Sequence, residues 1–180
     1  MSETTGARRP GRLGVGIVGA GRVGAVLGNA LRSVGHAVVG VSAISEASRE
    51  RAGAMLPGVP VLDVRDVVER SELVLLTVPD DALAPLVSGL ADLGVWQPGQ
   101  IVVHTSGRYG TDVLAPARAQ GAIPVAIHPA MTFTGTSLDL GRLEGVYRKR
   151  MSNGDSAGAK YTTTDVLTLV RLDRGAAYFD

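Results

Sequence analysis

Leu13–Gly24 reads LGVGIVGAGRVG, and the organisation of the chain follows from it. The first half is a short apolar run with β-branched Val15, Ile17 and Val18, the composition of a buried strand. The second half, Gly19-Ala20-Gly21-Arg22-Val23-Gly24, is a G-x-G-x-x-G. Beyond it Val23, Val26, Leu27, Ala30 and Leu31 recur at helical spacing up to Ser33. Strand, glycine turn and helix in that order are the setting in which this motif holds the pyrophosphate of a dinucleotide. Gly19 permits the tight turn, Gly21 lets a phosphate approach the backbone, and Gly24 lets the helix lie close on the strand. Gly19 to Gly24, with Ala20, Arg22 and Val23, are therefore the predicted phosphate site, facing free N–H groups and the positive end of the helix dipole. The other reading is a turn of the same shape that binds nothing.

Working outward, Gly35 closes the first helix and Ala37–Val41 is a second strand, with His36 at its entrance as a surface or packing histidine. An NAD site usually carries Asp or Glu about 20 residues past the first glycine, on the ribose 2′-hydroxyl. Ser42-Ala43-Ile44-Ser45 stands there instead, with no carboxylate to repel a 2′-phosphate. Ser42 and Ser45 offer hydrogen bonds to such a phosphate, and Arg49 lies a turn beyond Ser45, so NADP(H) is expected over NAD(H). Ser45 equally suits the N-cap of a helix Glu46–Met55, and the two roles are compatible.

Val59–Leu62 reads as a short third strand and Asp63 as the cap of a helix Val64–Arg70. Asp63, Asp66 and Glu69 make a solvated acidic face on that helix, with no convergence that would hold a metal. Leu73–Val78 (LVLLTV) is continuously apolar, as a strand buried on both faces of a parallel sheet should be. Thr77, Val78 and Pro79 lie at its carboxyl end, where ligands of open α/β sheets sit, so they are expected to wall the cofactor cleft. Asp80 or Asp81 should cap the helix Ala82–Leu90. Ile101–His104 is a fifth strand, ending in Thr105-Ser106-Gly107, and Thr111 should cap a helix running to Ala119. Ile123–Ile127 is a sixth, placed at the sheet edge by Pro124 and ending in His128. Thr77, Thr105, Ser106 and His128 thus recur at strand ends, where a nicotinamide and a substrate would meet. His128 is the candidate general acid/base, since histidine titrates near neutrality, with Ser106 the second candidate. The plainer alternative for His128 is a hydrogen bond to a loop backbone. The fold expected is α/β, a doubly wound, mostly parallel sheet in a single domain.

The bulk numbers narrow the partners. A chain of 180 residues with 45% hydrophobic content suits one globular core. A net charge of +1 and 4% aromatics give no footprint for nucleic acid. The absence of cysteine excludes disulfides, thiolate catalysis and zinc–thiolate sites. No apolar run approaches the roughly 18 residues of a membrane span, so no membrane partner is expected and a cytoplasmic setting is. Residues 1–12 read as a flexible N-terminal segment, with Arg8, Arg9 and Arg12 ahead of a buried strand rather than a signal peptide.

GIVGAGRVG, TVPDDAL, HTSGRYGTDVL and AIHPAMTFTG, in this order, resemble bacterial Rossmann-like oxidoreductases with an N-terminal NAD(P)-binding domain and a C-terminal helical domain of unknown function. The N-terminal part is similar to the 6-phosphogluconate dehydrogenase and pyrroline-5-carboxylate reductase superfamily. The resemblance covers about Leu13 to Gly145 and implies a Rossmann-like domain over 13–145. It implies an NAD(P)-dependent oxidoreductase acting on a small-molecule substrate and is compatible with a homodimer. It places Gly19, Gly21 and Gly24 at the phosphates, Thr77, Val78 and Pro79 along the cleft, and Ser106 and His128 near the reacting end. After Gly145 the chain departs from the family: residues 146–180 carry a basic run, Arg148-Lys149-Arg150, then a polar stretch, and one apolar stretch at Val166–Leu172. About 35 residues cannot form an independent core, so the expectation is an atypical, partly disordered tail in place of the helical domain. This leaves two functions in view, a hydride-transferring enzyme and a non-catalytic dinucleotide-binding module or truncated remnant.

Overall fold

The computed structural model describes residues 12–129 and 131–143. The readings made for the N-terminal segment up to Gly11 and for 146–180 lie outside the described residues. Five strands alternate with helices: β1 (Gly14–Val18), α1 (Arg22–Ser33), β2 (Ala37–Ser42), α2 (Glu46–Met55), α3 (Val64–Glu69), β3 (Leu73–Leu76), α4 (Asp80–Asp92), β4 (Ile101–His104), α5 (Ala115–Ala119) and β5 (Ile123–Ala126). The sheet order is β2-β1-β3-β4-β5 and every pairing is parallel. Chain order reverses between β1 and β3, so the carboxyl ends of those two strands flank the switch point where such sheets bind ligands.

Both faces of the sheet are covered, which is why the central strands are apolar without alternation. On one face Ile17, Ala25, Leu27 and Leu31 pack with Ala52, Met55 and Leu56 of α2 and its C-cap. The β3–β5 half of that face is covered by the last described segment, whose Phe133 and Leu143 join Leu75, Val103 and Ile127. The opposite face packs Val18, Val74 and Leu76 against Val67, Leu83, Val87, Trp96 and Leu114. Among the described residues no helix is long and apolar enough to cross a membrane.

The doubly wound parallel sheet is present as expected, and several local readings are corrected. Val59–Leu62 forms only a single parallel bridge, Val41 to Val61, beside β2. Pro60 has no N–H to extend a ladder there, and Gly58 turns the chain at φ +80° immediately before it. α4 starts at Asp80 with Pro79 in the N-cap position, so Asp80 and Asp81 lie in the first turn and complement the helix dipole instead of capping. Thr111 is the first residue of a 3-10 turn, Thr111–Leu114, whose N-cap is Gly110. Asp63 occupies the N-cap of α3 but makes no side-chain cap bond. Ser45 does cap α2, accepting from the Ser48 N–H at 3.2 Å.

β5 is an edge strand, at the end of the sheet opposite β2. Ile123 N–H donates to Gln100 O (2.8 Å) and Ile127 N–H to His104 O (2.9 Å), so alternate residues, Pro124 and Ala126, turn their nitrogens outward.

Gly28 and Gly53 test the packing. A Cβ at Gly28 would strike Ile17 Cδ1, whereas one at Gly53, on exposed α2 surface, meets nothing within 4 Å. Gly28→Val should lower the unfolding free energy by about 1–3 kcal/mol through overpacking. Gly53→Ala should raise it by about 1 kcal/mol through helix propensity. Urea denaturation read by circular dichroism measures both.

Candidate functional site

The glycine loop is held by the ends of its two neighbouring strands. Gly19 adopts φ +100°, a conformation L-residues avoid. Its N–H donates to Ser42 Oγ (3.0 Å), and its carbonyl accepts from Thr77 Oγ1 (2.6 Å). Ala20 N–H donates to the Ser42 carbonyl at 2.9 Å. Thr77 N–H also donates to Val18 O at 2.9 Å, continuing the β1–β3 ladder one residue past β3.

The three motif glycines differ in their surroundings. A Cβ at Gly24 would strike the Gly19 carbonyl oxygen and the Thr77 hydroxyl. A Cβ at Gly19 would stand 2.9 Å from Thr77 O. A Cβ at Gly21 would find nothing nearer than Thr77 O at 3.9 Å, although its own φ of −71° suits any residue. Gly19 and Gly24 are therefore glycine because the protein is close, while the space over Gly21 is open. Gly21 is also the N-cap of α1, and no side chain caps that helix. N–H groups at such a helix end suit an oxyanion.

Ser42 is buried and its oxygen is used on the loop. Ser45 is used on α2, and Arg49 is exposed. The two serines read as contacts for a 2′-phosphate thus already have roles within the protein, while the Arg49 side chain has none among the described residues.

At the far end of the sheet, His104 is fully buried. Its Nδ1 accepts the Ser106 N–H (3.2 Å), so its Nε2 carries the proton that bonds Gly110 O (3.0 Å). Burial, the largest influence, holds the imidazole below its ordinary value, against the bond to Gly110 and the charge of Asp80, which raise it. His104 thereby shapes the 105–110 loop. Ser106 Oγ accepts from Arg108 N–H (3.1 Å), and Thr105 N–H donates to Leu76 O (3.3 Å). His128 is exposed and its ring lies on Gly107, where a Cβ would be 2.7 Å from Cε1. The structure thus brings His128 beside the Ser106–Gly107 turn, with no hydrogen bond between the His128 and Ser106 side chains among the described residues. His36 is a packing histidine: it is buried and its Nδ1 accepts Leu13 N–H at 3.2 Å. No cluster of metal-ligating side chains occurs among the described residues.

Three groups near the loop had no signal in the sequence. Arg51 of α2 reaches the Ala20 carbonyl (Nη1, 3.4 Å). Gly135, at φ +84°, lies against Arg22 and Arg51. Asp139 is fully buried, and its Oδ2 accepts the N–H groups of Thr134 (2.7 Å) and Gly135 (2.8 Å). Burial opposes ionisation of Asp139, but the bonds from Gly135, Thr134 and Thr136 together hold its carboxyl below the usual range. Arg51 and Gly135 make contacts between distant parts of the chain, which spacing cannot reveal, while Asp139 bonds amides only four and five residues before it.

The family model for the Rossmann-like domain matches residues 1–129. The chain belongs to the Rossmann-like domain family. No curated protein sequence matches it. Among solved structures it is similar to a candidate NADP oxidoreductase from Bacteroides fragilis, 23% identical with TM-score 0.55 over 69% of this chain and 46% of that one. It is similar to a variant imine reductase from Myxococcus stipitatus in complex with NAD+, 24% identical with TM-score 0.51 over 68% of this chain and 42% of that one. It is also similar to prephenate dehydrogenase from A. aeolicus in complex with hydroxyphenyl propionate and NAD+, 16% identical with TM-score 0.55 over 77% and 56%. The chain spans about half the length of these proteins, and at such identities the likeness is one of fold.

The buried histidines set a pH dependence. His36 and His104 both have folded values below the ordinary 6.5, chiefly through burial. Below that pH the unfolded chain takes up protons the fold refuses, so stability should fall as pH drops from about 7.5 to about 5.5. His104→Gln should show a shallower fall in urea midpoint over that range than the wild type.

Proposed function

We propose that this chain is the cofactor-binding part of an NAD(P)-dependent oxidoreductase acting on a small carbonyl, imine or hydroxy compound. The observation that carries the reading is the contrast among the glycines: Gly19 and Gly24 are crowded by protein, while Gly21, at an uncapped helix N-terminus, opens on space. A pyrophosphate fits that space and supplies the missing acceptors. The bound nicotinamide would supply hydride chemistry.

The chain's own part is to bind and orient. The N–H groups at the start of α1 hold the phosphates, with Ala20, Arg22 and Val23 around them. Ser42 and Thr77 keep the loop in shape. Val78, Pro79 and Thr105 line the cleft towards the nicotinamide. His128, exposed beside Gly107, is the group to give or take the substrate proton, with Ser106 adjacent. NADP(H) is favoured over NAD(H) because residues 42–45 hold no carboxylate that would repel a 2′-phosphate. A second reading, a dinucleotide-binding module without turnover, draws on the missing bond between His128 and Ser106.

Thermal shift with NADPH and NADH side by side tests the cofactor. At a hundredfold excess over Kd, NADPH should stabilise the fold by about 2.7 kcal/mol. Gly21→Val should abolish that gain and leave unliganded melting near the wild type; no shift with either nucleotide would overturn the reading. NADPH oxidation against keto acids and imines separates the two functions. His128→Ala should remove turnover and leave cofactor affinity within about twofold. Tight binding with no turnover of any substrate would leave the binding module.

A further inference from the structure

The turn at 134–136 lies at the mouth of the glycine loop, and the dinucleotide reading above does not by itself call for it. A Cβ at Gly135 would stand 3.1 Å from Arg22 Cα, 3.0 Å from Arg22 Cγ and 2.8 Å from Arg51 Nε. The turn is therefore in van der Waals contact with the first residue of α1 and with a guanidinium from α2. That guanidinium makes one long contact, to Ala20 O at 3.4 Å. Among the described residues no carboxylate pairs with Arg51 or with Arg22. The Arg51 guanidinium thus stands by the start of a helix that already carries the positive pole of its dipole, and the first residue of that helix is itself an arginine. A cation beside a helix's positive pole without a counter-charge is unfavourable, and an anion at this end relieves it.

The turn is itself anchored. Asp139 accepts both of its leading amides, Thr134 and Gly135, and donates its own N–H to Thr136 O at 3.1 Å. Arg142 Nη1 stands 3.6 Å from the other carboxylate oxygen, which accepts no hydrogen bond. Phe133 on one side and Leu143 on the other are buried in the core. Thr134 and Thr136 leave their hydroxyls, 2.9 Å apart, at an exposed surface.

We infer that Arg51 and the 134–136 turn form the outer wall of the pyrophosphate site, with Asp139 as the positioning residue that fixes the wall. The inference rests on the dinucleotide reading and extends it. The α1 N–H groups bind the phosphates from below, and Arg51 neutralises them from the side. Gly135 is glycine because any side chain would push the wall away from Arg22.

The test is calorimetric titration of the full chain with NADPH, NADH, ADP-ribose and 2′-AMP. Arg51→Gln should weaken NADPH, NADH and ADP-ribose alike, each by about tenfold or more, through loss of a charge-assisted bond. It should leave 2′-AMP, which lacks the pyrophosphate, unchanged. Unliganded melting should match the wild type, since Arg51 makes a single long contact, and Arg51→Lys should restore part of the affinity. Asp139→Ala should weaken ADP-ribose similarly, while Asp139→Asn, which keeps an acceptor for the two amides, should hold it near the wild type. Unchanged or tighter ADP-ribose binding in Arg51→Gln would overturn the wall. A loss confined to NADPH and 2′-AMP would overturn it too, by making Arg51 a 2′-phosphate residue. Wild-type protein that binds none of the four would overturn the dinucleotide reading, and the wall with it.

Discussion

Gly19 exchanges hydrogen bonds with both flanking strand ends, its N–H donating to Ser42 and its carbonyl accepting from the Thr77 hydroxyl. The rest of the binding end depends on that exchange. It fixes the one residue whose left-handed backbone turns β1 into α1. It does so with the side chains at the carboxyl ends of β2 and β3, so the loop and the sheet cannot shift separately. Gly24 then seats α1 directly on the Gly19 carbonyl and Thr77 hydroxyl. The helix end therefore arrives already aimed, and a ligand there meets donors whose ordering was accomplished in folding.

What the sequence revealed is what local pattern governs. β1, α1, α2 and β4 are legible because burial imposes an unbroken apolar run on a two-sided strand and a 3.6-residue stripe on a helix. The strand ends were legible for the same reason, and with them Ser42, Thr77, Ser106 and His128 as residues at the carboxyl edge of the sheet. Their partners were not. Ser42 reads as a group for a 2′-phosphate, yet its oxygen accepts the Gly19 N–H across the β1–β2 pair. Val59–Leu62 looked like a strand by composition, but a proline and a left-handed glycine leave it one bridge. Arg51 and Gly135 gave no signal because their meeting is a product of tertiary packing, and Asp139 gave none because its local turn has no distinctive spacing.

The three histidines divide by solvation. His36 and His104 are buried, each accepting a backbone N–H, and each is held neutral to shape a loop or a strand entrance. His128 is exposed at the carboxyl edge of the sheet, its ring on Gly107. Spacing alone does not separate them; the division comes from which strand face and which loop each ring lands on. The same packing brings the segment after β5 back over the sheet, where Phe133 and Leu143 cover the apolar surface that α1 and α2 leave bare.

Pro124 has an effect beyond its own strand. Its nitrogen points away from β4, so the missing N–H costs the sheet no ladder bond, and the open border of β5 is left with Ala126 as its outward amide donor. A strand from another molecule seeking to extend the sheet there would find one donor where a regular border of that length offers two. The border is thereby protected against edge-to-edge aggregation by a single ring, with no charge spent on the task.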